Sequence, residues 1–501
     1  MKKALPERSS LRLTTDEATL VAAGAALLLI QYVAARELSS TLFSTELVVI
    51  GATFVTLLGP SVGYALSGRV RTRGRLAGWG AAALLIQLAL PVAARALTGA
   101  LCDATGTSLT AALLLGGGLI VLCGFYATLL PLRAEKVALP RLYVCELLGA
   151  LLALLLIRLC PSWQLTLWAY YALAAAAAHL LLRRAVLTVL VAGLALAAVV
   201  FYPRLDGQAA RLYYARCRGH AAPTVLATVY SPYQRIDVVQ DAAKGDATPP
   251  QRTLYLDGVT HFQSGELTLF PQLLAQLPGR LLPARGPALV AGSGSFSAAG
   301  HLQRLGYDVT VVELDEKVAQ LGFAHFAAAH KLRPGQVRVV IDDIRRFLAH
   351  AKEHYQLIVL DVPAPYHLQT ALLHTATFYR LVAAHLLPGG AAALSLCDDL
   401  DGPVGSSIAA AAAQSFAELQ VVESEALGLS VLYASAQGAL PFSVAATAAA
   451  LAEYDSLGGQ VYGDATTRSI LRTAEPLSEY DLSGVLALSR QSLPLPRSRS
   501  D

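Results

Sequence analysis

Acidic residues and glycines follow successive apolar segments in the middle of the chain. Four segments rich in Val, Leu, Ile and Ala end, in chain order, at Gly292 with Gly294, at Glu313, at Asp342 with Asp343, and at Asp361. In a doubly wound sheet, ligands lie in the crevice at the carboxyl ends of the strands. The glycine turn and three carboxylates, Glu313, Asp343 and Asp361, are therefore expected to face one cleft. The sequence predicts a cofactor site for a nucleoside in an α/β sheet.

Each of these residues also has a structural interpretation. A glycine turn can serve only the backbone, because many turns from strand to helix need a positive φ or a close approach. Asp343 fits two roles, ligand binding or capping of the helix that follows it. Glu313 at a strand end has no packing role, and Asp361 follows a fully apolar strand, so binding is favoured for both. His261 and His374 are assigned no role.

The composition divides the chain into an apolar half and a more polar half. Of the 501 residues 55% are hydrophobic and 15% charged, and the mean hydropathy is +0.50. Each apolar run before residue 205 is near the ~20 residues that a helix needs to cross a bilayer. These runs are 17–35, 46–67, 77–99, 108–131, 140–159, 163–182 and 185–202. Seven transmembrane helices are predicted, without a removable signal peptide.

Basic residues are concentrated in alternate connections between these runs. They are Lys2, Lys3, Arg8 and Arg12, then Arg69, Arg71, Arg73 and Arg75, then Arg133, Lys136 and Arg141, then Arg183 and Arg184. The positive-inside rule places the N-terminus in the cytoplasm. Seven spans would then put the C-terminal half outside, away from cytosolic nucleosides. Either one run does not span the membrane, or the soluble domain does other chemistry. A multi-pass protein of the cell membrane is predicted, and the membrane side of its soluble domain is left open.

Other features limit the functions that the chain can have. The six cysteines show no metal-ligand spacing and are expected to be buried hydrophobic residues without disulfides, and no metal is predicted. A net charge of +4 without a basic patch makes nucleic acid an unexpected partner. Glu146 in the fifth run is either a functional ionisable group or an interfacial one paired with Arg141 or another polar group. Glycines in the fourth and fifth runs are expected to allow close helix packing.

The predicted organisation has five segments. They are a cytoplasmic N-terminus (1–16), a transmembrane domain of about seven helices (17–204), a β-rich entry subdomain (205–285), a Rossmann-like α/β domain (286–450) and a C-terminal extension (451–501). The entry subdomain is predicted from two alternating stretches, TVLATVYSPYQRIDVVQ and RTLYLDGVTHFQ, joined by a polar loop. Whether the protein forms a homo-oligomer is left open.

Several motifs follow one another in the order that one enzyme family shows. They are SPYQRIDVV, LYLDGVTHFQSGE, VELDEKV, DDIRRFL, the strand that ends on Asp361, and LLHTATFYRLVAAHLLPGG. In this set the soluble half resembles the spermidine synthases, which are polyamine aminopropyltransferases. The apolar half resembles the N-terminal region of bacterial multi-pass members in QYVAARELSSTLFST, LLGPSVGYALSGR, GFYATLLPL and LYVCELLGALLA. The likeness extends to about residue 440.

The resemblance implies a reaction and a role for each site residue. In that family, decarboxylated S-adenosylmethionine donates an aminopropyl group to an amine such as putrescine. Gln234 would face the reacting chain of the donor, and Asp257 would lie near its amine end. Glu313 would accept hydrogen bonds from the ribose hydroxyls, and Asp343 from the adenine amino group. Asp361 would hold the acceptor amine and take its proton, since only a neutral amine carries a lone pair for attack.

Departures from the family pattern are confined to the amine half of the predicted pocket. Ser295 and Ala364 stand where the family has carboxylates, Glu266-Leu267 replaces an Asp-Glu pair, and Phe270-Pro271-Gln272 replaces Tyr-His-Glu. Carboxylates offset the desolvation of ammonium groups, so their loss weakens a polyamine site. Three hypotheses remain open: an aminopropyltransferase, a methyltransferase that uses intact S-adenosylmethionine, and a membrane sensor or transporter subunit that binds a nucleoside or polyamine without turnover. The number of carboxylates near Asp361 discriminates between them.

Overall fold

The computed structural model describes most of the chain. It covers residues 13–42, 45–102, 108–159, 162–182, 185–242, 250–264, 269–292, 294–454, 457–478 and 485. Several predicted features lie outside these residues: the basic stretch up to Arg12, Cys160, Arg183 with Arg184, Glu266 with Leu267, and 479–484 and 486–501 of the extension. The chain divides into two compact units. They are Met1–Leu42 with Val48–Gly219, and Phe43–Leu47 with His220–Asp501.

The N-terminal unit is a block of long apolar helices, as predicted. They are α1 (Thr15–Leu42), α2 (Glu46–Leu66), α3 (Arg73–Ala100), α4 (Leu109–Ala134), α5 (Leu139–Leu159), α6 (Trp163–Leu182) and α7 (Ala185–Cys217), with a 3-10 turn at Ser67–Val70. Among the described residues, all but α6 are long and apolar enough to cross a membrane. The last helix continues beyond the predicted boundary at 204, because Ala209, Ala210, Tyr213 and Tyr214 extend its buried face.

Glycines bring α1 and α5 into close contact. A Cβ on Gly24 would lie 1.9 Å from the carbonyl oxygen of Glu146, and one on Gly149 would lie 2.0 Å from that of Val21. Only glycine allows this approach of the two backbones, which is the packing role predicted for small residues in the fifth run.

One ion pair predicted in this unit has a different partner. Arg141 pairs with Glu17 at the start of α1, so the interpretation that pairs Arg141 with Glu146 is not borne out. The Glu146 side chain is buried on α5.

A disulfide joins Cys102 to Cys217, which contradicts the prediction that the cysteines are unpaired. Their Cα atoms are 5.7 Å apart, within the range that a disulfide requires. The first follows α3, the second ends α7, and these two helices pack against each other. Because the two residues are 115 positions apart, spacing in the sequence does not reveal the pair.

A charged cluster lies in the interior of the helical block. Arg95 on α3 is fully buried, and its Nη1 lies 3.1 Å from Oδ1 of Asp206 on α7. Its Nη2 donates to the Ser40 hydroxyl at 2.6 Å and lies 3.9 Å from Oε2 of Glu37, both on α1. The cluster therefore ties three helices together with one guanidinium and two carboxylates.

Replacing Arg95 with leucine is expected to lower the stability of the protein by about 3–5 kcal/mol, because two buried carboxylates lose their counterion. Thermal unfolding of the purified protein in detergent measures the change. The matched control is Arg71→Leu, which removes an ion pair with Glu135 (2.9 Å) in which both side chains are exposed. Such a pair contributes about 0–1 kcal/mol. If the two variants lose equal stability, the buried cluster contributes no more to stability than the exposed ion pair.

The C-terminal unit begins with a small antiparallel sheet. Its strands lie in chain order: β1 (Thr224–Tyr230), β2 (Arg235–Gln240), β3 (Arg252–Leu256) and β4 (Val259–Gln263). Its apolar face packs against α11 (Glu316–Phe326) of the following sheet, with Ile236, Leu254 and Phe262 meeting Val318 and Phe326. The entry sheet is thereby fixed beside the larger one.

The second sheet has eight strands in the order β12-β10-β11-β9-β8-β5-β6-β7. They are β5 (Pro287–Gly292), β6 (Asp308–Glu313), β7 (Arg338–Ile341), β8 (Tyr355–Asp361), β9 (Leu386–Ser395), β10 (Glu418–Ser424), β11 (Leu429–Ser435) and β12 (Gln460–Tyr462). Strands β5 to β9 pair in parallel and β10 to β12 are antiparallel. The predicted Rossmann-like α/β fold is confirmed.

Helices cover both faces of this sheet, which explains why its central strands are apolar throughout. Side chains alternate along β5, so Val290 joins one core with Leu302 while Leu289 joins the other with Phe378 and Ile408. The remaining helices are α8 (Leu269–Pro271), α9 (Leu277–Leu281), α10 (Ser297–Arg304), α12 (Ile344–His350), α13 (Leu368–Ala371), α14 (Ala376–Ala384), α15 (Pro403–Ala413), α16 (Val444–Ala452) and α17 (Asp464–Ile470), with a π-helix at Gln272–Gln276 and 3-10 turns at Ala327–His330, Leu372–His374 and Leu471–Thr473.

Candidate functional site

The site lies where the strand order of the large sheet reverses. After β5 the chain adds β6 and β7 on one side, and then β8 and β9 on the other. The last residues of β5 and β8, Gly292 and Asp361, are partners in register. Gly292 has φ 84°, and a Cβ there would lie 2.1 Å from the carbonyl oxygen of Asp361. Glycine is therefore required at the switch point, where open α/β sheets bind their ligands.

The second glycine of the turn is enclosed by side chains from two elements. A Cβ on Gly294 would lie 2.4 Å from Cγ1 of Val318 on α11 and 3.4 Å from Nε2 of His261 on β4. The imidazole of His261 thus reaches the turn from the entry sheet. Burial lowers the pKa of His261 to about 4, so the ring is neutral at physiological pH. It adds a polar group at the turn without adding a charge.

The rest of the turn is packed by an aromatic ring. Ser295 is buried, and its hydroxyl accepts a hydrogen bond from the Ser297 amide at 3.3 Å. Phe296 has φ 60°, a left-handed conformation that bulky residues rarely adopt. Its buried ring meets Phe323 edge to face, with centroids 5.4 Å apart. The turn therefore has a backbone-bonded hydroxyl at Ser295, where the resemblance implies a carboxylate.

Glu313 ends β6 and is half-buried. The Asp315 amide donates to its Oε1 at 3.1 Å. Burial raises the pKa of Glu313 to about 7, and the negative charges of Asp315 and Asp361 add to the rise against the opposing effect of that amide. A ligand that donates hydrogen bonds to the carboxylate would favour its ionised form. A bound ligand can thus decide whether the half-buried carboxyl of Glu313 is neutral or ionised.

Asp361 lies between groups at the ends of two other strands. Its charge contributes to the raised pKa of Glu313, which ends β6, and of Cys397, which follows β9. Burial is the main reason that the pKa of the Cys397 thiol rises to about 12, and Asp398 also contributes. Cys397 therefore stays protonated and is not a nucleophile at neutral pH.

Asp398 adds a further carboxylate at this edge of the sheet, after β9. Its Oδ1 accepts from the Asp399 amide at 3.0 Å, and its Oδ2 accepts from the Val404 amide at 3.4 Å. Its oxygens thus hold the start of α15. Asp361 and Asp398 therefore both act on the Cys397 thiol, and Asp398 also holds the backbone at the start of α15.

Asp343 is placed differently from the prediction. The third strand, β7, ends at Ile341 rather than on Asp343, because the chain turns into α12 there. Asp343 is exposed, and its Oδ1 accepts from the Arg345 amide at 2.8 Å and the Arg346 amide at 3.4 Å. Of its two interpretations, capping of the helix is the one that the structure shows.

Gln234 and Asp257 lie in neighbouring turns of the entry sheet. The Asp257 carboxylate accepts from the Arg235 amide at 2.8 Å, and Asp257 itself has φ 47°. The amide of Gln234 donates to the Ser231 hydroxyl at 3.1 Å, and its carbonyl accepts from the Ser231 amide at 2.9 Å. Gln234 therefore shapes the turn before β2, and Asp257 the turn after β3.

A histidine without a predicted role holds the loop after Asp361. His374 is buried, and burial lowers its pKa to about 4, so the ring is neutral. Its Nε2 donates to the Pro363 carbonyl at 3.0 Å, and its Nδ1 accepts from the Tyr379 hydroxyl at 3.3 Å. Ala364 follows in this loop, and its carbonyl accepts from the Tyr366 amide at 2.7 Å. No feature of the sequence around His374 signals this positioning contact.

Part of the C-terminal unit is similar to proteins of a known family. Residues 267–395 match the model of the spermine/spermidine synthase domain. A polyamine aminopropyltransferase of Oceanobacillus iheyensis is 30% identical over 166 residues, covering 32% of this chain and 31% of that protein. Polyamine aminopropyltransferase 2 of Hyperthermus butylicus is 33% identical over 132 residues, covering 25% and 41%. The chain thus spans less than half the length of either relative.

The chain is also similar to a solved structure. A spermidine synthase crystallised with the transition-state analogue AdoDATO is similar with a TM-score of 0.39 and 18% identity, over 54% of this chain and 85% of that one. The similarity to spermidine synthases that the motifs predict is confirmed by the family match and the curated relatives.

Proposed function

We propose that the spermine/spermidine synthase domain of this chain transfers an aminopropyl group from decarboxylated S-adenosylmethionine to an amine such as putrescine. The observation that carries this proposal is the pairing of Gly292 with Asp361 at the switch point, within electrostatic reach of Glu313. All three residues fall within the matched range 267–395.

Glu313 and the glycine turn are proposed to hold the nucleoside. A carboxylate that closes the strand after a glycine turn accepts hydrogen bonds from both hydroxyls of a ribose. Binding would replace water around a carboxyl whose pKa is about 7 and would keep it ionised. Gln234 and Asp257 are proposed to line the aminopropyl chain of the donor, in addition to their contacts within the turns. Asp343 is proposed to bind the adenine, in addition to capping α12.

Asp361 is proposed to act on the acceptor amine. The neutral amine nitrogen attacks the propyl carbon bound to the sulfonium, so a nitrogen–carbon bond forms as the carbon–sulfur bond breaks. The electron pair of that bond goes to sulfur, which leaves as a neutral thioether. The amine loses one proton, and Asp361 is the base that takes it.

The N-terminal helices are proposed to anchor the protein in a lipid bilayer as a multi-pass membrane protein. Their outer faces expose large apolar side chains, including Leu151 and Leu155 on α5 and Val189 and Leu190 on α7, whereas Arg95 is buried inside. Apolar residues outside and paired charges inside are the distribution that a hydrocarbon solvent requires.

A second candidate is a domain that binds its ligand without transfer, or one that uses intact S-adenosylmethionine. The replacement of family carboxylates by Ser295 and Ala364 favours it, together with the Phe296 ring that packs the turn. A pocket with fewer acids binds an ammonium group less strongly and tolerates the extra carboxylate of the intact cofactor.

Calorimetry of the full-length protein in detergent tests the choice of donor. Decarboxylated S-adenosylmethionine is expected to bind at least about tenfold more tightly than the intact form, since one like charge beside Asp361 costs more than ~1.4 kcal/mol. Methylthioadenosine serves as the nucleoside control. Tighter binding of the intact form would favour a methyltransferase, and binding of neither form would exclude the nucleoside site.

A further inference from the structure

Ion pairs between helix ends define one face of the N-terminal unit. Asp16 at the start of α1 pairs with Arg133 near the end of α4 at 2.8 Å. Arg71, between α2 and α3, pairs with Glu135, between α4 and α5, at 2.9 Å. The start of α1 and the connections α2–α3 and α4–α5 therefore lie on one side of the bundle, here called the first face.

The disulfide defines the opposite face. Helix α3 leaves the first face at its start and ends at Ala100, and Cys102 follows. Cys217, the last residue of α7, is bonded to Cys102. The end of α3 and the end of α7 therefore share the second face of the bundle.

The disulfide also requires that the number of membrane crossings between the two cysteines is even. Helices α4, α5, α6 and α7 separate them in the chain, and two residues on one face must be separated by an even number of crossings. Three of the four, α4, α5 and α7, are long and apolar enough to span. Helix α6 must therefore be the fourth crossing. Its 20 residues reach about 30 Å, the thickness of the hydrocarbon core.

Hydrogen bonds hold α6 against the middle of α3. The hydroxyls of Tyr170 and Tyr171 donate to the carbonyls of Gln87 and Leu88 at 2.8 and 3.1 Å. Both tyrosines are buried, as expected for a helix inside the bundle.

We infer that the chain crosses the membrane seven times and that the synthase domain lies on the side opposite the cytoplasm. Two independent observations agree on the side. Arg69, Arg71, Arg75 and Arg133 lie at the first face. The last turns of the helices that end at the second face hold two basic residues, Arg158 on α5 and Arg216 on α7, and none on α1 or α3. Disulfides persist in oxidising compartments outside the cytoplasm, and the disulfide lies on the second face. The chain passes from α7 into the C-terminal unit at His220, three residues after Cys217.

The membrane side of the domain determines where its ligands come from. This consequence rests on the proposed function. A site outside the cytoplasm meets nucleosides and amines that have left the cytoplasm or are present in the surroundings. The step that supplies its donor is then an export step rather than cytosolic synthesis alone. The topology itself does not depend on the activity of the domain.

Cysteine labelling of the full-length protein in spheroplasts tests the topology. Lys352→Cys reports on the synthase domain and Thr72→Cys on the first face, and both positions are exposed. A membrane-impermeant maleimide is expected to label Lys352→Cys before lysis and Thr72→Cys only after lysis. The unmodified protein gives the background, since among the described free cysteines Cys123 and Cys145 are buried and Cys397 is half-buried. Protection of Lys352→Cys before lysis would overturn the inference.

Thiol counting tests the disulfide separately. Protein trapped with maleimide at lysis and then denatured is expected to show two further thiols after reduction. Cys102→Ser should abolish this increase, and the control Cys123→Ser, which removes a free cysteine, should retain it. An unmodified protein with no further thiols on reduction would overturn the inference, whatever the variants do.

Discussion

Replacing Asp361 with asparagine is expected to slow aminopropyl transfer by about 10²–10⁴-fold, the usual loss when a general base is removed. Asparagine keeps the shape of the side chain and its place beside Gly292 but cannot take the proton of the amine. Affinity for methylthioadenosine is expected to change little, because the nucleoside is held by Glu313 and the glycine turn. Initial rates with putrescine and calorimetry with methylthioadenosine measure the two effects.

The control for Asp361→Asn lies at the other end of the same strand. Glu353→Gln neutralises an exposed carboxylate just before β8 and should leave the transfer rate unchanged. An Asp361→Asn variant that keeps the full rate would remove Asp361 from the reaction. A variant that loses nucleoside affinity as well would instead assign Asp361 to the donor site.

Replacing Glu313 with glutamine is expected to weaken nucleoside binding by about 1.5–3 kcal/mol, the range for hydrogen bonds to a charged group. This corresponds to a rise in Kd of about 10–150-fold. Asp308→Asn, at the exposed start of β6, is the matched control and should bind like the unmodified protein. If the folded Glu313→Gln protein binds with unchanged Kd, the ribose is held elsewhere.

The pKa of Glu313 adds a pH dependence to this prediction. Its value of about 7, against an ordinary 4.5, means that the folded protein holds this proton more tightly than the unfolded chain. Folding stability therefore falls as pH rises from about 4.5 to about 7 and is constant above, and nucleoside affinity rises through pH 7 as the carboxylate forms. Glu313→Gln should lose the pH dependence of binding and gain about 1–3 kcal/mol of stability at pH 8.

The sequence predicts the sheet well because its signals are local. Uninterrupted apolar segments such as LIVL in β8 require cover on both faces, and the acids that follow them reach the edge of the sheet. Gly292, Glu313 and Asp361 were therefore recognisable from position alone. Asp343 was ambiguous because an aspartate before a helix caps or binds, and only the hydrogen bonds to Arg345 and Arg346 distinguish the two roles.

Features that depend on distant parts of the chain could not be predicted. The Cys102–Cys217 disulfide follows from the packing of α3 on α7, and the Arg95 cluster joins helices more than a hundred positions apart. His261 reaches the glycine turn only because the entry sheet packs on α11. Tertiary packing decides each of these contacts, and none has a signature in spacing or periodicity.

Product analysis tests the central proposal most directly. The purified full-length protein, in detergent, is incubated with decarboxylated S-adenosylmethionine and with putrescine, spermidine or cadaverine in turn, and the amines are identified by mass spectrometry. We expect one amine to gain an aminopropyl group in step with the release of methylthioadenosine, and Asp361→Asn to lose both products. If no amine is extended although the nucleoside binds, the transfer proposal is contradicted and the domain is a binding module.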